Sequence, residues 1–154
     1  MSDIKKLIGE DTINNVVQGE EKITFYMNSG REIIFYHQQS CCENVWVEDV
    51  NGNWEDLYNT PIIIAECRTE HNNEWNDGDW RTQTWTFYTF RTIKGSVDVR
   101  WCGESNGYYS EEVDIKWKDK NGRWNSPYLF GEIIQRNNPF APPNPTSIPT
   151  NMIR

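Results

Sequence analysis

The chain has 154 residues, with 15 Lys and Arg against 23 Asp and Glu, a net charge of −8 and 36% hydrophobic residues. That is one domain's worth, enough to bury roughly two-thirds of its unfolded surface. No apolar run reaches the roughly 18 residues of a membrane helix, no basic-then-apolar leader opens the chain, and the acidic balance opposes a phosphate backbone, so neither a membrane nor direct nucleic-acid binding is expected.

The acidity is uneven: residues 1–122 carry 12 basic and 22 acidic side chains, whereas 123–154 carry three Arg against Glu132. Between Arg31 and Arg68 stand Glu32, Glu43, Glu48, Asp49, Glu55, Asp56 and Glu66 with no Lys or Arg. Such a stretch suits a solvated face or a cationic partner. Aromatic residues make up 14% of the chain, more than a small β core requires, and surplus rings on a surface are typical interface anchors.

In chain order, Ser2 followed by Asp3 to Ile8 and Gly9 reads as a short capped helix with Ile4, Leu7 and Ile8 on one face. Residues 13–17, 22–27 and 31–37 are β-branched and aromatic, separated by Gln18-Gly19 and Asn28-Ser29-Gly30, and predict an antiparallel meander in which Ile33, Phe35 and His37 share a face. A fourth strand spans Val45–Val50, residues 54–58 suggest a helical turn, and Ile62–Cys67 reads as a strand apolar on both faces. Residues 69–81 are polar and Asn-rich and are expected to form a long loop. Residues 84–93 and 96–102 form the next hairpin, with Val97, Val99 and Trp101 inward and Asp98, Arg100 and Cys102 outward. Asn106-Gly107 then predicts a tight reversal into a strand from Tyr108 to Trp117. Beyond residue 122 the Pro-rich segment predicts an extended arm, with Phe140, Pro142 and Pro143 as contact residues and an oligomer contact as its use.

Two stretches are candidate sites. In the first, His37, Cys41, Cys42 and Glu43 place one of two histidines and two of four cysteines within a few positions. Zinc would use such donors, with Cys67 or His71 completing the set, but structural zinc sites space their cysteines two to four residues apart, and no metal or other cofactor is expected. A Cys-His nucleophile oriented by Glu43 is the second option, although catalytic pairs are usually assembled by the fold from distant positions. The bland reading is that His37 extends the inward row and is satisfied by backbone. A disulfide between adjacent cysteines is not expected, and the thiols are taken as reduced. In the second stretch, Glu104, Ser105, Asn106, Tyr108 and Tyr109 resemble an amphipathic contact tip; cross-strand tyrosines stiffening a hairpin is the plainer alternative. Asp49, Asn51, Asn53 and Glu55 alternate as in a calcium loop, but Trp54 stands where such a loop needs Gly, so no ion is expected.

The Tyr-His pair at 36–37, Cys41-Cys42-Glu43, Val47-Glu48-Asp49, the 84–88 strand, Arg100-Trp101 and the Ser105 to Ser110 run together resemble a small uncharacterised family of bacteriophage and prophage proteins, known as a domain of unknown function, over residues 3–115. The resemblance implies a viral or prophage setting and an ordered body ending near Ile115; it brings no activity with it. The expectation is a β-dominated fold of about seven or eight antiparallel strands, a small barrel or sandwich with a short N-terminal helix. The expected function is a non-enzymatic protein-binding protein in the host cytoplasm or virion, interfering with a bacterial process such as defence. A virion assembly component docking through its arm, and a β domain holding a small ligand at Tyr108 and Tyr109, are the alternatives.

Overall fold

The computed structural model describes residues 4–76 and 79–125. Among these, nine strands form two antiparallel sheets. The meander of β1 (Ile13–Gln18), β2 (Ile23–Met27) and β3 (Glu32–Tyr36) continues into β8 (Asp114–Lys118) and β9 (Trp124–Asn125), giving the order β1-β2-β3-β8-β9. The second sheet holds β4 (Asn44–Gly52), β5 (Ile64–Asn76), β6 (Asp79–Thr92) and β7 (Gly95–Ser105) in the order β4-β7-β6-β5. Neither sheet closes on itself, so of the two expected architectures the sandwich is the one formed.

The sheets meet through aromatic rings. Phe25 and Phe35 of the first sheet approach Phe90 with centroids at 5.1 and 5.9 Å, and Phe35 meets Tyr88 at 5.1 Å, all tilted edge-to-face. Around them Ile13, Ile23, Ile33, Val97, Val99 and Trp101 are all but completely buried, and each such side chain contributes about 1.5–3 kcal/mol of transfer free energy. Helix α1 (Ile4–Ile8) covers one part of this core with Ile4 and Ile8; Gly9, at φ 63°, ends it, and the Arg31 guanidinium donates to the carbonyls of Leu7 and Ile8.

Three expectations are corrected. Residues 69–81 are not a loop: β5 and β6 run on as a paired ladder from Thr69↔Thr86 to Asn76↔Asp79, with only Asp77-Gly78 between them. Residues 106–113 do not return as a strand beside β7. They cross to the other sheet, where Asp114–Lys118 pairs with β3, because the inward side chains of 115 and 117 complete the meander's apolar face. Ile62 is buried but Ile63 is 48% exposed, so the strand expected there starts only at Ile64. Cys102 does lie on the outward side of β7, yet it is buried, because Trp46 of β4 and Trp85 of β6 flank it in register.

Candidate functional site

His37 leaves the end of β3, where the alternation that buries Ile33 and Phe35 also turns its ring inward; its side chain is 4% exposed. Each ring nitrogen faces an oxygen acceptor. Nδ1 lies 2.7 Å from the Glu112 carbonyl oxygen and Nε2 2.6 Å from Glu43 Oε2. The Glu43 carboxylate, itself fully buried, also accepts from the backbone N–H groups of Ser40 (2.7 Å) and Cys41 (3.0 Å). Burial alone would raise the Glu43 carboxyl, but the His37 bond and the two backbone donors outweigh it and hold the group below the usual carboxylate range. Asp114 accepts from the Gln38 N–H at 2.9 Å and lies 3.9 Å from His37 Nδ1. The loop from Gln38 to Glu43 is thus tied down from inside at both ends.

The adjacent cysteines correct a further expectation. Cys41 and Cys42 are bonded to each other, and both are exposed on this loop. Their sulfurs therefore offer no thiolate, either to a metal or as a nucleophile. Cys67 lies opposite Tyr88 in the β5–β6 ladder, and His71 opposite Thr84. Among the described residues no three His, Cys, Asp or Glu side chains converge as metal ligands. Both ring nitrogens of His37 are engaged by neighbouring oxygens and its side chain is buried.

The second candidate stretch sits at the same end of the sandwich. Asn44, first residue of β4, pairs with Glu104 on β7, and the chain then passes through Ser105 and Asn106 to the segment that bonds His37. Buried Glu111 anchors this segment. Its carboxylate accepts from the hydroxyls of Thr84 (2.7 Å), Thr82 and Ser105, and Ser105 Oγ in turn accepts from the Gly107 N–H at 3.0 Å. His71 Nδ1 lies 3.0 Å from Thr84 Oγ1. Gly103 makes room for the crossing: a Cβ there would stand 2.7 Å from the Glu111 carbonyl oxygen. Outside this anchor, Asn106 Oδ1 accepts from the Tyr108 N–H, Tyr108 packs edge-on against Tyr109 at 4.7 Å, and Tyr108 remains 43% exposed. Glu104 is held by Gln83 at 3.1 Å and lies 3.8 Å from Arg81.

The fold therefore joins His37, Cys41, Cys42 and Glu43 to Glu104, Ser105, Asn106, Tyr108 and Tyr109 at one end. It divides them by role: His37, Glu43 and Ser105 are internal anchors, while Cys41, Cys42, Asn106 and Tyr108 face solvent. Glu111, Asp114, Thr82 and Thr84 are anchors that the sequence reading missed. The alternation of Thr82, Thr84 and Thr86 along β6 was a signal for an inward polar row; nothing marked Glu111 or Asp114. The arm residues Phe140, Pro142 and Pro143 lie outside the described residues. One open surface groove, of about 440 Å³, borders the candidate site and is lined by Val17, Lys22, Tyr36 and His37; another, of about 560 Å³, is lined by Gly9, Arg31 and Lys120, and neither includes Tyr108 or Tyr109. No described helix is long and apolar enough to cross a membrane.

Comparison with known proteins finds a family model described as a domain of unknown function (DUF7448) matching residues 5–115. No curated protein and no solved structure matches.

Proposed function

The chain belongs to the DUF7448 family, a domain of unknown function, and on that premise we propose that it is a non-enzymatic binding domain that engages a protein partner with the loop end of its sandwich. One observation carries the reading. Two tracts distant in the chain, 37–43 and 104–112, are brought together and braced from inside by buried carboxylates, so that Gln38, Gln39, Ser40, Asn106 and Tyr108 are presented on a stiffened surface. Pre-organised loops of amide, hydroxyl and tyrosine groups suit protein recognition, because little side-chain entropy is lost on contact. The ionisable groups that chemistry would need are spent on the bracing. The setting that fits the sequence resemblance is a phage or prophage protein acting on a host process, defence included, in the bacterial cytoplasm.

The test is a tagged full-length chain expressed in a bacterial host, with the retained protein identified and its affinity measured. Replacing Asn106 and Tyr108 together by Ala is expected to abolish retention, and deleting 126–154 to spare it. A partner lost only on deleting 126–154 would favour the assembly role instead, and retention unchanged by the double substitution would refute the proposed surface.

A further inference from the structure

Strand β5 is the outer strand of its sheet, and among the described residues nothing pairs with its free edge. Helix α1 packs against β5, yet from Arg68 to His71 the outer edge of the strand faces no described strand, and edge N–H and C=O groups of this kind are a template for another one. From Arg68 to Asn72 every residue is exposed on both faces of the sheet, so neither face would obstruct an incoming strand. Natural edges are commonly protected by charge, and this one carries charge of alternating sign: Arg68 is ion-paired along the strand to Glu70 and stacks on Phe87 at 4.2 Å.

We propose that β5 pairs antiparallel with β5 of a second copy about a two-fold axis at Thr69, joining the two four-stranded sheets into one. Charge selects this register. Centred on Thr69, Arg68 stands opposite Glu70 of the second copy, and Glu70 opposite its Arg68, making a ring of four alternating charges. Centred on Arg68, the pairing sets Arg68 against itself and Glu66 against Glu70; centred on Glu70, it sets Glu70 against itself. Both place like charges directly opposite, which is unfavourable. A shift by a single residue would bring the outer face of one strand beside the inner face of the other and break the continuity of the sheet. The contact is isologous, so it closes as a dimer and does not propagate. It uses a different edge from the loop end that carries the proposed partner surface and is independent of that reading.

The test is the mass of the full-length chain in solution, by sedimentation or light scattering across a concentration series. The parent chain is expected to be a dimer. Arg68→Glu and Glu70→Arg, each alone, convert two symmetry-related attractions into repulsions and are expected to weaken dimerisation about tenfold or more. The double variant Arg68→Glu with Glu70→Arg restores opposite charges and is expected to recover the dimer. That recovery also shows that neither single change acts by unfolding the chain. A parent chain that stays monomeric throughout, a dimer indifferent to single charge reversal, a double variant that stays dissociated, or a dimer lost on deleting 126–154 would each overturn the proposal.

Discussion

Removing the Glu43 carboxylate is the sharpest test of how the loop end is held. In Glu43→Ala, three donors lose their acceptor: the buried His37 ring N–H and the backbone N–H groups of Ser40 and Cys41. An unsatisfied buried donor costs about 1–3 kcal/mol, and more when charged. Ser40 and Cys41 are exposed residues whose amides can turn to water, so each belongs at the low end, whereas the His37 ring has no such exit. The sum is about 3–4 kcal/mol. For a body of this size each kcal/mol moves the midpoint by roughly 3 °C, so Tm at neutral pH should fall by about 10 °C, read by circular dichroism. Glu43→Gln keeps one acceptor oxygen and should lose about half as much. The pH dependence has a definite sign. Because the folded carboxyl is held below its ordinary value of 4.5, its contribution is complete above that pH and is lost as pH falls through the folded value. Glu43→Gln should therefore differ most from the parent at neutral pH and approach it in acid. A Glu43→Ala midpoint within about 2 °C of the parent, with unchanged amide exchange at residues 40 and 41, would refute the bracing role.

Three further outcomes follow from the same geometry. Glu111→Ala leaves the hydroxyls of Thr82, Thr84 and Ser105 without their shared acceptor and should cost about 1–3 kcal/mol in urea unfolding, with faster amide exchange at residues 105–109; unchanged exchange would contradict the anchor. Gly103→Ala forces a Cβ to within 2.8 Å of Glu111 Cβ as well as its carbonyl, a backbone clash that should cost about 1–3 kcal/mol, and equal stability would show that the crossing segment can yield. Burial, with Glu104 and Glu48 nearby, pushes the Cys102 thiol up to about 11, so at pH 8 about one molecule in a thousand is thiolate. Iodoacetamide at that pH should label Cys102 only after denaturation, followed by mass spectrometry, and labelling of the folded chain at the unfolded rate would count against the burial described.

The meander was legible because β1 to β3 obey local rules: short runs of β-branched and aromatic residues separated by Gly-bearing turns, with positive φ at Gly30. The β5 part of the extension was not, because Arg68 to Asn72 are exposed whichever face they point to, so period-two patterning disappears there and composition alone looks like a loop. Its one signal was Asp77-Gly78, turn chemistry as strong as that of Asn106-Gly107. Asn106-Gly107 itself misled, because a tight turn specifies a reversal and not which sheet receives the next strand; that choice was made by β8 completing the face beside β3. At the site, the grouping of His37 with Glu43 was visible, but the partners from the far stretch, Glu112 and Asp114, are brought in by the crossover and carry no local mark.

The bracing also changes the meaning of the chain's acidity. A net charge of −8 suggests a field that would draw a cationic partner, yet Glu43, Glu111 and Asp114 are buried, Glu32 is paired with Lys118 at 3.1 Å, and Glu104 lies against Arg81. Around the loop end the exposed residues Gln38, Gln39, Ser40, Asn106 and Tyr108 carry amides, a hydroxyl and a phenol, with the half-buried Glu104 and Glu112 as the flanking carboxylates. Exposed charge pairs weaken as the Debye length shrinks with salt, whereas neutral hydrogen bonds and ring burial do not. Affinity for the proposed partner should therefore change less than about threefold between about 50 and about 300 mM NaCl, measured by calorimetry. A steep, log-linear loss over that range would place the contact on the acidic flanks of the sandwich and away from the loop end.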